Sequence, residues 1–194
     1  MKLTRGFYTD QNALSASRSL LGKLLVLRSS MGRVSGINTE TEAYCGMEDR
    51  ASHAFGGKRT PRNSIMYGKG GTAYVYLCYG IHHLFNVVVH HVDVPHAVLV
   101  RAIQPMEGIQ EMLERRPNAR TSTGGPGTLT QALGIGSVHN GADLTADRIW
   151  IEDIGVKLKR NEVITGPRIG VEYAGVDALL PYRFRIATSR AIPT

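Results

Sequence analysis

The stretch KLLVLRSSMGRVSGINTETEAY, residues 23–44, contains two β-rich runs joined by a turn. Lys23 to Arg28 reads as a buried strand, Ser29-Ser30-Met31-Gly32 as the turn, and Arg33 to Tyr44 as a second strand paired with the first. The pattern recurs further on. Ala73 to Cys78 and His83 to His90 are β-rich, and Tyr79-Gly80-Ile81-His82 joins them as a second hairpin. Two hairpins make an antiparallel sheet, and a strict βαβ alternation is missing, which argues against a doubly wound fold.

The rest of the chain fits around these hairpins. Asp10 is placed to cap a helix over residues 13–21, with Gly22 as its stop. Ala97 to Ile103 reads as another strand, and Met106 to Arg116 as an amphipathic helix ending before Pro117. Thr128 to Leu133 reads as a short helix stopped by Gly134. Arg148 to Glu152, Gly170 to Tyr173 and Arg183 to Ile186 read as short strands. Cys45 to Lys69 reads as a long surface loop, and loops of that length are usually functional or disordered. The expectation is one mixed α+β domain over residues 1–194. It has 22 glycines, well above the usual ~7%, in keeping with many turns.

Composition narrows the function classes. With 194 residues and 42% apolar content the chain has enough material for a packed core. No apolar run approaches the roughly 20 residues of a membrane-spanning helix, and the N-terminus lacks the apolar stretch of a secretory signal. Two cysteines, Cys45 and Cys78, give no disulfide framework and no zinc-site spacing, so an intracellular compartment is expected. The net charge is +7 and the pI about 9.6, which points to a polyanionic partner.

Side chains on a strand alternate faces, so Glu40, Glu42 and Tyr44 share one face. Two carboxylates and a phenol either face water or line a polar cleft. From spacing alone a solvated face is favoured, and nothing singles out one glutamate. Tyr74 and Tyr76 share a strand face, while Tyr79 sits at a hairpin tip with little to pack against, where it is free to wedge between bases. Lys58, Arg59 and Arg62 lie in the long loop as candidate phosphate contacts, with Arg115, Arg116, Arg120, Lys157, Lys159 and Arg160 as further ones. The histidine pairs His82-His83 and His90-His91 match no metal-binding spacing, and the glycine-rich stretches lack a P-loop ending. No metal and no cofactor are expected.

Taken in order, several motifs resemble the alkyladenine (3-methyladenine) DNA glycosylase family, and not its helix-hairpin-helix counterpart. They are Glu40-Thr41-Glu42-Ala43-Tyr44, Ser52-His53-Ala54 with Thr60-Pro61-Arg62-Asn63, and Ala73 to Gly80 followed by Asn86-Val87. Val98 to Ala102, Gln131 to Ile135, Asn140 to Leu144 and Pro167 to Val171 continue the series, so the likeness covers nearly the whole chain. The resemblance implies a curved antiparallel sheet with short helices and a protruding β-hairpin. It implies Glu42 as the general base that activates water and Arg101 as the residue that helps hold that water. Tyr44, His53 and Tyr76 would stack on a flipped purine, Asn86 would discriminate against guanine, and Leu99 would line the pocket. Tyr79 would enter the gap left in the duplex. Thr128 stands where the family commonly has lysine.

No lysine falls among the matched pocket positions, so hydrolysis without a lyase step is expected. The resemblance further implies double-stranded DNA carrying damaged purines as the partner. It implies action as a monomer and a place with the chromosome, in a bacterial cytoplasm or nucleoid. Two readings compete with it: a non-enzymatic nucleic-acid-binding module, and a metal-dependent nuclease using Glu40, Glu42 and histidines.

Overall fold

The computed structural model describes residues 1–117 and 123–187, so Arg120 lies outside the described residues. Helices α1 (Arg5–Thr9) and α2 (Ala13–Leu20) precede the hairpin of β1 (Leu24–Ser29) and β2 (Gly32–Tyr44). The second hairpin pairs β3 (Ala73–Cys78) with β4 (His82–Val89), and β5 (His96–Glu107) follows. Then come α3 (Ile109–Arg115), α4 (Pro126–Leu133), β6 (Ile149–Glu152), β7 (Val163–Gly166) and β8 (Arg183–Ile186).

All eight strands join one antiparallel sheet: six run in the order β3-β4-β5-β2-β1-β6, β8 pairs with β2, and β7 pairs with β8. The thirteen-residue β2 is its axis: one edge runs along β5, while the other is shared between β1 and then β8. One strand serving two partners along the same edge curls the sheet, and three bulges between β2 and β5 bend it further.

Alternation then divides the labour between the two faces. Val75, Phe85, Val87, Val98, Val100 and Ala43 point to the main core, where Leu20 of α2 and Leu129 and Leu133 of α4 cover them. Each such side chain, fully removed from water, contributes roughly 1.5–3 kcal/mol. Thr41 donates its hydroxyl to Ser17 O of α2 at 2.8 Å and Asn38 donates Nδ2 to Leu20 O at 3.2 Å, so both side chains are hydrogen-bonded to the helix. Their sequence neighbours Tyr74, Asn86, Leu99 and Glu42 therefore lie on the opposite face, away from α2.

Several expectations need correcting. Asn12, not Asp10, caps α2: its side chain accepts from Ser15 N at 3.0 Å, while Asp10 closes the preceding helix. Met106 belongs to β5, which runs on to Glu107 because that residue still pairs with Ser35. Gly170 to Tyr173 is no strand: Gly170 has φ +76°, a left-handed backbone that a strand cannot carry. The strand of that region is Val163–Gly166, paired with β8.

The stretch from Cys45 to Lys69 is not a surface loop. Ala51, Ala54, Met66 and Tyr67 in it are buried. It folds down because Asp49, Ser52 and Asn63 hydrogen-bond its own backbone, Asn63 alone reaching Thr60 N, His53 O and Lys58 O.

Candidate active site

Strand pairing sets five residues side by side: Tyr74 (β3), Asn86 (β4), Leu99 (β5), Glu42 (β2) and Arg183 (β8) are successive cross-strand partners. Directly paired residues point to the same face, so this row crosses about 19 Å of sheet. The first four form the floor of a cleft of about 880 Å³ or, in the case of Glu42, lie directly beneath it.

Glu42 is fully buried, so the solvated-face reading of this strand is wrong. Its Oε2 accepts from the Tyr44 hydroxyl at 2.9 Å; its Oε1 accepts from Ile169 N at 2.9 Å and lies 3.3 Å from Arg101 Nη1. Burial pushes the Glu42 carboxyl above its usual range, opposed first by the Arg101 charge and then by the Ile169 and Tyr44 hydrogen bonds. Arg101 reaches it because it is the extra residue of a bulge: Glu40 pairs with Ala102 and Thr41 with Val100, skipping Arg101.

Glu40 differs in kind. It is clamped between Arg101 Nε and Arg183 Nη1, each 3.1 Å from its Oε1. Spacing alone left the two glutamates equivalent; their partners separate them.

The walls are aromatic. Tyr76 packs against His53 with ring centroids 4.8 Å apart and against Tyr74 at 5.1 Å. His53 Nδ1 shares a 2.8 Å hydrogen bond with the Tyr74 hydroxyl. Burial, and then the nearby Arg62 and Lys58 charges, lower the His53 pKa and favour a neutral imidazole. Asn86 is fixed by donating Nδ2 to Tyr74 O at 3.1 Å. Thr128, at the start of α4, also lines the cleft and donates to Gly125 O at 2.7 Å.

At the mouth stands the β3–β4 hairpin tip. Tyr79 is 92% exposed and takes φ +50°, an uncommon backbone for a residue with a side chain. The two loop arginines part company. Arg62 belongs to the cleft wall, its guanidinium 4.9 Å from the Tyr76 ring centroid and bonded to Leu77 O at 3.1 Å. Arg59 turns away onto Tyr67, 3.9 Å from the ring, and pairs with Asp93 at 2.8 Å.

Three contributors escaped the sequence reading. Ile169 acts through a backbone N–H, which no residue type advertises. Arg168 is buried behind Tyr44, and Arg183 reaches Glu40 from 143 residues away. Lys58 also lines the cleft, against the expectation that no lysine would. Among the described residues no group of His, Cys, Asp or Glu is placed to hold a metal, and both strand carboxylates are engaged by arginines. Among the same residues no helix is long and apolar enough to cross a membrane.

Comparison with known proteins gives the family. A family model described as methylpurine-DNA glycosylase (MPG) matches residues 7–190. The chain is 44% identical to a Chlamydia abortus protein over 94% of its own length and 96% of the relative's. It is 46% identical to one from Methanocella arvoryzae, covering 94% and 90% of the two chains, and 45% identical to one from Anaeromyxobacter dehalogenans, covering 97% and 85%. All three carry the name "Putative 3-methyladenine DNA glycosylase". The matched region spans the cleft lining, from Tyr44 to Tyr173, together with Glu42 and Arg183, and on that match the chain belongs to the methylpurine-DNA glycosylase family.

Proposed function

We propose that this DNA glycosylase flips 3-methyladenine, 7-methylguanine, hypoxanthine and ethenoadenine out of duplex DNA and hydrolyses the bond between base and sugar. The observation that carries the reading is the asymmetry of the two glutamates: Glu42 lies buried directly beneath the cleft with three donors on its carboxylate, supplied by the cleft-lining residues Tyr44, Arg101 and Ile169, while Glu40 is neutralised between two arginines.

A base stacked in a duplex is out of reach, so it must be extruded, at a cost of a few kcal/mol. Stacking on Tyr44, His53 and Tyr76 offsets this by roughly 1–3 kcal/mol per base. Tyr79 fills the vacated space and slows the return. As the base departs, the sugar acquires oxocarbenium character. The Glu42 carboxylate stabilises that cation and takes a proton from the attacking water. The new bond is from water oxygen to the anomeric carbon, the broken one is from that carbon to the base nitrogen, and an abasic site results.

The donors around Glu42 favour the ionised form that this role needs, and Arg101 orients the carboxylate and helps hold the water. Asn86, fixed on the floor, excludes the 2-amino group of guanine. Water is the nucleophile, and Lys58 sits exposed at the cleft edge rather than beside Glu42. The reaction is accordingly monofunctional.

Glu42→Gln keeps the shape and removes the base. Its single-turnover excision of hypoxanthine and 7-methylguanine is expected to fall at least 1,000-fold, roughly 4 kcal/mol of barrier. Affinity for duplex carrying an abasic analogue should stay within a few-fold. Borohydride added to the wild-type reaction should trap no protein–DNA adduct. Equal loss from Glu40→Gln would sink the assignment of the base, and a trapped adduct would sink the monofunctional reading.

A further inference from the structure

The ion pair of Arg168 and Asp49 is among the most deeply buried charges in the described structure, and the reaction outlined above does not use it. The two side chains are 0% and 2% exposed. Arg168 donates Nη1 to Asp49 Oδ2 at 2.5 Å and to Ala43 O at 2.9 Å, and Nη2 to Asp49 Oδ1 at 2.8 Å and to Asp177 O at 3.2 Å. Asp49 in turn accepts from Cys45 N at 2.9 Å and from Ala51 N at 3.0 Å. Burying such a pair gives little net stability over an apolar filling, because desolvation offsets the attraction. What it does supply is fixed geometry.

That geometry is centred on Glu42. The Arg168 guanidinium lies 4.9 Å from the centre of the Tyr44 ring, and the Tyr44 hydroxyl donates to Glu42 Oε2. One residue along the chain, Ile169 N donates to Glu42 Oε1. One residue back, Pro167 O accepts from Arg183 Nε at 2.9 Å. Three consecutive residues are therefore tied down, and the middle tie is the buried ion pair. Asp49 joins the same clamp to the end of β2 and to the turn that leads into His53. Two of the three donors on the Glu42 carboxylate thus depend on where Arg168 stands.

We propose that Arg168, held by Asp49, is a positioning residue for base excision: it sets the Ile169 N–H and the Tyr44 ring against the Glu42 carboxylate. The inference rests on Glu42 being the general base. Displacing a reacting group by about 1 Å costs on the order of 100-fold in rate, so the effect should be large.

Three variants separate geometry from charge. Arg168→Lys keeps the charge but loses the two-pronged fork. Its single-turnover excision plateau should fall 30- to 100-fold, with affinity for abasic-analogue DNA within threefold and the acidic limb of the pH–rate profile unmoved. Arg168→Gln removes a cation close to Glu42, so that limb should move to higher pH. Asp49→Asn leaves Arg168 uncompensated, so the limb should move to lower pH. The other groups facing Glu42 stay in place: Arg101 from β5, Glu40 and Tyr44 from its own strand, and Arg183 behind Glu40. Limbs displaced in opposite directions are not a result that general loosening of the fold produces.

A folded Arg168→Lys protein with an undiminished plateau would overturn the proposal. So would rates in all three variants that track melting temperature while the limbs stay still. Should Arg168→Gln fail to fold, the Lys and Asn variants decide between these outcomes. Glu42→Gln, run alongside, tells the two readings apart: activity surviving in it would mean that the base itself was wrongly assigned.

Discussion

Burial raises the Glu42 pKa despite three donors, and this has a consequence for stability as well as for rate. In the unfolded chain Glu42 titrates in the ordinary carboxylate range; in the folded chain it titrates higher. Between those two pH values the native state holds a proton that the unfolded state has lost, so stability falls as pH rises through the window. Above it, the fold carries the full cost of a buried anion. Glu42→Gln removes that cost, and Arg101 keeps Glu40 as a partner. The variant should therefore melt higher than wild type at neutral pH, by roughly 2–4 °C for each 1 kcal/mol relieved. The gap should close below the ordinary carboxylate range, and calorimetry across pH 3.5–8 checks both halves. Arg62 is a second single-residue case. Its guanidinium lies over Tyr76, next to where a stacked purine would sit. At ~7 Å and an effective dielectric of about 20, two like charges repel by ~2 kcal/mol. Arg62→Gln should therefore raise excision of cationic 7-methylguanine relative to neutral hypoxanthine, by up to about 30-fold. A ratio of kcat/KM values that does not move would show Arg62 to be a phosphate contact and nothing more. Neither residue's environment is legible in the sequence, which places Glu40 and Glu42 on one face but is silent about Arg183 and Ile169 arriving from the far end of the chain.

Elements were legible where their cause is local. Both hairpins follow from β-rich runs around short turns, and β8 has the bounds that its sequence suggests. What failed was non-local. Residues 45–69 look like a surface loop because their polar content is high, yet Asp49, Ser52 and Asn63 spend that polarity on their own backbone. The segment becomes a wall of the cleft that brings in His53 and Arg62. Gly170 to Tyr173 alternates like a strand, but a left-handed glycine at its start breaks it. The β3–β4 hairpin repays closer argument. It carries Tyr74 and Tyr76 along its length and ends in Tyr79, whose positive φ costs on the order of 1 kcal/mol and is held by the closing Ile81 N to Cys78 O bond at 3.1 Å. Tyr79 is almost fully exposed, so replacing it removes no core packing. Tyr79→Ser should leave the melting temperature within about 1 °C and lower excision from well-paired duplexes at least tenfold. The loss should be smaller for mismatched lesions, which flip at lower cost. Equal rates on both substrates, with stability unchanged, would remove Tyr79 from the wedge role.

On the scale of the whole molecule, charge pointed to a polyanion but not to where the polyanion lies. The cleft mouth is the expected place: Arg50, Lys58 and Arg62 line the cleft, and among the described residues none of the three is ion-paired to a carboxylate. Arg59, adjacent in sequence, is already engaged by Asp93. Neutralising a phosphate releases a condensed counterion, so the log of the binding constant falls with log salt at a slope of about −0.9 per contact. Three contacts at the mouth set an expected slope of about −3 for duplex carrying an abasic analogue. Lys58→Gln should bring that slope toward about −2 with lesion preference intact, because phosphate contacts carry no base information. Arg59→Gln should change it by much less than one, because Arg59 lies on Tyr67 outside the cleft lining, with the Asp93 carboxylate against its charge. Affinities measured by anisotropy between 50 and 300 mM salt distinguish the two. If Arg59→Gln flattens the slope as much as Lys58→Gln does, the duplex extends beyond the mouth onto the Arg59–Asp93 side, and the orientation of DNA inferred from the cleft is wrong.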